Sequence, residues 1–170
     1  VTVTVTPEND CPTALDDSAQ TPEDQAVLIN VCMNDSDPDD ANGCGGLLDC
    51  TSVTVVSQPD CGGTAQTQAD GRVLFTPPTG FCGTCQFTYR VFDEENCASN
   101  VATVTVSVLP GNDCPIAAND NAATMQGMAV VIPVCANDSD PDEANGCGAP
   151  LDCSTVVIVQ NPNCAGTAVP

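Results

Sequence analysis

In Val101-Ala-Thr-Val-Thr-Val-Ser-Val-Leu109, the valines 104, 106 and 108 alternate with Thr103, Thr105 and Ser107. A period of two sends successive side chains to opposite faces, so this stretch is a strand with one apolar face. Gln86-Phe-Thr-Tyr-Arg-Val-Phe92 follows the same rule and puts Phe87, Tyr89 and Val91 on one face. No stretch of the chain shows a helical period. The two strands point to β-structure with an aromatic and valine core.

The valine–threonine run also opens the chain. Val1-Thr-Val-Thr-Val-Thr6 aligns with Val104–Leu109 at an offset of 103 residues and reads as a strand already in progress, with no signal peptide ahead of it. The same offset relates Cys11, Cys32, Cys44, Cys50 and Cys61 to Cys114, Cys135, Cys147, Cys153 and Cys164. Residues 11–67 and 114–170 share 32 identities in 57 positions without a gap. A repeat of this period fixes the layout. Residues 1–10 are the last strand of one repeat and a linker, 11–113 are a whole repeat, and 114–170 are the first half of another.

Breakers divide the whole repeat into seven predicted strands. They are Ala14–Gln20, Gln25–Val31, Thr51–Ser57, Gly63–Gln68, Arg72–Thr76, Gln86–Phe92 and Val101–Leu109, with a hairpin at Thr21-Pro-Glu-Asp24 joining the first two. Short strands at this spacing predict an antiparallel sandwich. The half repeat 114–170 has no aromatic residue and lacks the later strands, so it does not close a sandwich alone.

Composition limits the partners. Two arginines, Arg72 and Arg90, no lysine and 23 acidic residues give a formal charge of −21. Such a surface repels nucleic acid and anionic membranes and attracts divalent cations. No apolar run approaches membrane-spanning length. Thirteen cysteines with no histidine fit disulfides in an oxidising, extracellular setting better than zinc, despite Cys82-Gly-Thr-Cys85. Without histidine there is no serine or cysteine triad, and paired carboxylates this abundant do not single out a glycosidase.

Acid concentrates in Asn34-Asp-Ser-Asp-Pro-Asp-Asp-Ala-Asn-Gly43, which returns as Asn137-Asp-Ser-Asp-Pro-Asp-Glu-Ala-Asn-Gly146. Asp35, Asp37 and Asp39, and again Asp138, Asp140 and Asp142, carry carboxylates at alternate positions. They repel one another unless screened, and Ca2+ accepts the irregular oxygen geometry of such a loop. A solvated turn would use the same residue types. The spacing is not that of an EF-hand. Asn34-Asp-Ser36 and Asn137-Asp-Ser139 also match the glycosylation sequon, inside this acidic stretch.

The succession Ala14-x-Asp-Asp-Ser18, Thr21-Pro-Glu-Asp24, Val31-x-x-Asn-Asp-Ser-Asp-Pro-Asp39, Ala69-Asp-Gly71, Phe75-Thr-Pro-Pro78, Gly80-Phe-x-Gly83, Phe87-Thr-Tyr89 and Asp93 resembles bacterial immunoglobulin-like, cadherin-like tandem repeats. These occur in large secreted adhesins and surface filaments. The resemblance implies seven-stranded Greek-key sandwiches in tandem, often stabilised by calcium and without catalysis. Its heavy load of cysteine sets this chain apart from such repeats.

In that sandwich one end gathers the N-terminal linker and the loops after the second and sixth strands. Asp10, Asp35, Asp37, Asp39 and Asp93 are the expected calcium ligands, with Asp113, Asp138, Asp140 and Asp142 in the next copy. Cys11, Cys32, Cys44, Cys50 and Cys97 share that end, and Cys61, Cys82 and Cys85 the other. Cys11 with Cys32 across the first hairpin, and Cys44 with Cys50 across the acidic loop, are expected pairs among many open connectivities. An odd number at each end leaves room for a disulfide to the next repeat. The expectation is a structural segment of an extracellular fibre or adhesin stalk, joined head to tail to neighbouring repeats or copies of itself, by inter-domain disulfide or strand exchange. Two alternatives are an adhesive module for a glycan or cell-surface partner, with Phe81 and Phe92 as contacts, and a spacer in a secreted enzyme.

Overall fold

The computed structural model describes residues 1–6, 8–43, 45–163 and 167–170, with Asn42 described by its backbone. These residues divide into two compact units, Val1–Gly111 and Asn112–Pro170.

In the first unit, seven strands follow one another: β1 Asp17–Pro22, β2 Val27–Ile29, β3 Leu48–Ser57, β4 Thr64–Thr67, β5 Val73–Thr76, β6 Gly83–Asp93 and β7 Ala102–Leu109. They form a four-stranded sheet in the order β1-β7-β6-β3 and a three-stranded sheet in the order β2-β5-β4. Each of the seven predicted stretches overlaps a strand, with shifted bounds, and Val31 of the second falls in a 3-10 turn. The expected hairpin between the first two is not formed. β1 pairs with β7, Asp17 opposite Val104, while β2 pairs with β5 in the other sheet. Thr21 stops the chain by donating its hydroxyl to Gln25 O at 2.8 Å, and Asp24 takes a left-handed conformation (φ +58°). The chain then crosses from one sheet to the other. The β1–β7 pair is parallel, so the arrangement is not wholly antiparallel.

The buried faces are the predicted ones. Phe87, Tyr89 and Val91 of β6 and Val104 and Val106 of β7 are fully buried, joined by Val73 and Phe75 of β5. The Phe75 and Phe87 rings stack with centroids 6.3 Å apart. Each such side chain contributes roughly 1.5–3 kcal/mol by leaving water. The turn into β5 depends on Gly71, which has φ +81°, and a Cβ there would lie 1.7 Å from Cys50 O. No residue with a side chain fits that position.

Two expectations about the ends change. Val1–Thr6 is exposed and in no strand. A solitary extended segment has no ladder to hold it, whatever its alternation. The acidic stretch is not an open loop. The turn η1 Val31–Asn34 leads into it, and it contains the turn α1 Pro38–Asn42. Asp37 caps α1 by accepting from Asp39 N at 2.9 Å, Pro38 sits at its first position, and Gly43 ends it at φ +65°. That is a complete set of start and stop signals in seven residues.

The second unit shows what these signals do without a sheet. It contains α2 Pro141–Asn145, with Asp140 as cap and Gly146 as stop, and the short turn η2 Cys153–Thr155, but no strand among the described residues. Met128, Val130, Ile132, Val134, Val156 and Ile158 line an open apolar cleft.

A candidate cation site at the linker end

Asp37 and Asp39 are held by α1, and Asp93 by the end of β6. All three are buried, with 4%, 1% and 3% of their surface exposed. Buried carboxylates need partners. Asp93 has them: Oδ2 accepts from the Asn9 amide at 2.8 Å, and Oδ1 from the N–H groups of Glu95 and Cys97 at 2.9 and 2.7 Å. Burial would raise its pKa, but these donors outweigh burial and hold it below the usual carboxylate range. Asp39 Oδ2 accepts from Asp10 N at 2.9 Å, so the linker backbone is tied to the acidic loop. Asp39 Oδ1 and Asp37 Oδ2 have no hydrogen-bond partner. Burial raises the pKa of Asp37, and the charges of Asp39, Asp40 and Asp93 raise it further, while the Asp39 N–H opposes.

Two glycines let the loop close over this cluster. A Cβ on Gly45 would meet Asp39 Oδ2 at 2.3 Å and Asn9 Oδ1 at 2.9 Å, and one on Gly46 would meet Glu95 N at 2.8 Å. Asn9 also accepts from Gly46 N at 2.8 Å. The sequence reading passed over Asn9, although Asn9-Asp10 returns as Asn112-Asp113. Within the second unit the geometry recurs: Asp113 N donates to Asp142 Oδ2 at 2.9 Å and Asp142 N to Asp140 Oδ1 at 3.1 Å.

Of the expected ligands, Asp37, Asp39 and Asp93 are brought together, and Asp10 joins them through its backbone. Asp35 lies elsewhere. Its carboxylate receives Leu15 N at 2.8 Å and faces the Tyr89 hydroxyl at 3.0 and 3.1 Å. That hydroxyl also lies 2.9 Å from Val31 O and 3.0 Å from Leu15 O, so one proton serves several acceptors. Asp17, absent from the sequence reading of the site, completes this second cluster. Burial above all raises its carboxyl to about 6, and Asp35 and Asp16 add to the effect against hydrogen bonds from Tyr89 and Asn34. Asp35 is raised too, chiefly by burial. Asp138 in the second unit receives Ala118 N at 2.8 Å, as Asp35 receives Leu15 N.

Among the described residues, only Asp60, Cys61 and Cys85 bring three possible donor atoms within 4.8 Å of one another. Cys61 and Cys85 are bonded to each other, so that group is a disulfide and not a metal centre. The aspartates 37, 39 and 93 do not form such a group.

The disulfides correct the expected pairs. Cys11 bonds Cys97 and Cys32 bonds Cys50, with Cα atoms 5.2 and 5.6 Å apart. Cys11 and Cys32 each bond elsewhere, and the strands that they flank, β1 and β2, belong to different sheets. Cys50 falls where the β3 register slips between Asp49 and Thr54, and it reaches back to η1. Cys50 is therefore not the partner of Cys44, which lies outside the described residues, as does Cys164. The second unit repeats the bond as Cys135–Cys153. Cys82 and Cys147 are also disulfide-bonded, and Cys114 is an exposed thiol.

The model of the bacterial cadherin-like domain matches residues 9–110, more than half of the chain. The chain belongs to this family. The match begins at Asn9 and takes in the linker contact, the acidic turn and all seven strands. Bacterial cadherin-like domains are generally non-enzymatic, and they typically bind calcium. A search of curated proteins found no match. Phe81 and Phe92 of this cadherin-like domain are half-buried, and Phe81 packs against the core. Among the described residues no helix is long and apolar enough to cross a membrane.

Proposed function

We propose that this chain is a structural segment of an extracellular fibre, filament or adhesin stalk, braced by disulfides and stiffened by calcium where the linker meets the sandwich. The observation that carries the calcium reading is that, of the four partnerless buried carboxylate oxygens among the described residues, two, Asp37 Oδ2 and Asp39 Oδ1, lie in the acidic turn. Two buried oxygens left without donors fit a bound cation, which would satisfy both at once. Asp37, Asp39 and Asp93 would hold Ca2+, a hard cation that needs no fixed ligand geometry. Because Asn9 and Asp10 already touch Asp93 and Asp39, binding there would fix the direction in which the linker leaves the domain.

Neighbouring repeats or copies join head to tail in this reading. The disulfides and the acidic surface support an extracellular place. The test is thermal unfolding of the oxidised chain with millimolar calcium and with chelator. Extracellular calcium modules bind at roughly 10⁻⁴–10⁻³ M, which at a few millimolar raises stability by about 1–2 kcal/mol. A midpoint higher by several degrees supports the site. An unchanged midpoint removes calcium and leaves the disulfides to brace the domain.

A further inference from the structure

Cys11 is bonded to Cys97, 86 residues later in the chain and just before β7. The linker reaches the sandwich at Asp10, and the chain leaves it after Leu109. β7 is therefore the only strand between Cys97 and the far end. There Glu23 grips the outgoing chain: its N–H donates to Leu109 O at 2.8 Å, and its carboxylate accepts from Gly111 N.

From this connectivity we infer that the Cys11–Cys97 disulfide is a covalent bypass that removes most of the sandwich from the path of tension. A force pulling the two ends of the domain apart passes from Cys11 through the disulfide to Cys97. β1 to β5, with the core residues they supply, hang from that path as a closed loop. Cys82 is itself disulfide-bonded, and residues 12–81 stay off the path whichever cysteine it is joined to. Two smaller closed loops lie inside the large one, Cys32–Cys50 and Cys61–Cys85, so even the hanging part cannot pay out fully. The chain from Cys97 to Gly111 spans at most about 50 Å when fully extended, and β7 is already extended over eight of those residues. A sandwich of this size without the bond would release several times that length.

The inference needs only that the chain be pulled, and it holds or fails independently of calcium. Its test is single-molecule force spectroscopy of the full oxidised chain, tethered through residues 1 and 170. The expected record contains no lengthening step above about 50 Å from the first unit. Cys11→Ser/Cys97→Ser should add steps on the order of 100 Å, because the two inner loops remain closed. A second measurement covers the chance that this variant misfolds. The native chain is held at constant force while a small dithiol is added, which reduces each disulfide to two thiols and leaves as a cyclic disulfide. Long steps should follow the addition. Steps of equal length before and after it, or in the variant and the native chain, would overturn the inference.

Discussion

The backbone N–H of Asp10 donates to Oδ2 of Asp39 across 2.9 Å, joining the linker to the acidic turn through a carboxylate whose other oxygen has no partner. Asp39→Asn keeps the shape of the side chain and removes its charge. The calcium-dependent rise in unfolding midpoint should fall by at least half, while the midpoint in chelator stays level or climbs. Asp70→Asn, an exposed position paired with Arg72, should keep the full response. Equal calcium shifts in Asp39→Asn and the native chain would remove Asp39 from the site.

Gly45→Ala approaches the same carboxylate from the other side. The added Cβ cannot sit 2.3 Å from Asp39 Oδ2, so either the loop or the aspartate must move. We expect a weakened calcium response with the β-sheet circular dichroism spectrum unchanged. Gly43→Ala is the comparison, since nothing lies within 4 Å of a Cβ there and only its φ of +65° is unfavourable. That variant should lose about 1 kcal/mol and keep its calcium response.

Tyr89→Phe should destabilise the domain by about 1–3 kcal/mol, read as a lower denaturant midpoint. The hydroxyl links β6 to the segment before β1 through Leu15 O and to η1 through Val31 O. Removing it takes a donor from two carbonyls and leaves the Asp35 carboxylate with the Leu15 N–H. A variant within about 0.5 kcal/mol of the native chain would mean that water replaces the hydroxyl without loss.

The pH dependence should run against the usual direction for an acidic protein. Asp17 is raised to about 6, and Asp35 and Asp37 are raised as well, each chiefly by burial. A carboxyl with a raised folded pKa binds its proton more tightly in the folded state. It lends stability as pH falls through that pKa, in full below the unfolded value, and withdraws it as pH rises. Asp93 is lowered and acts oppositely, its contribution fading only in stronger acid. In chelator, the denaturant midpoint should therefore be higher at pH 5 than at pH 7. Asp17→Asn should flatten that difference. A midpoint that falls steadily from pH 7 to pH 5 would contradict the assignment.

The seven strands were legible because alternation depends on side chains alone, and Phe87, Tyr89 and Val91 face inward as their spacing requires. Which sheet a strand joins depends on its partners, and the turn at Thr21–Asp24 looks the same in a hairpin and in a crossing. That one ambiguity displaced the expected partner of Cys11. The acidic stretch announced its carboxylates but not their allocation. Asp35 and Asp37 are two residues apart, yet η1 and α1 turn one toward Tyr89 and the other toward Asp39. The spacing of oxygens along the chain carries no record of that turn.

The scarcity of basic residues has a consequence for how long such a domain lasts outside a cell. Proteases that cut after lysine or arginine find two sites, Arg72 and Arg90. Arg90 is paired opposite Thr54 in the middle of a sheet, where the backbone cannot enter a protease cleft. Arg72 is exposed in a turn and open to attack. A cut there falls between Cys61 and Cys85, so both new ends remain attached to one body by a sulfur–sulfur bond. The nick leaves its two pieces joined, and the domain stays in one body after a first cut.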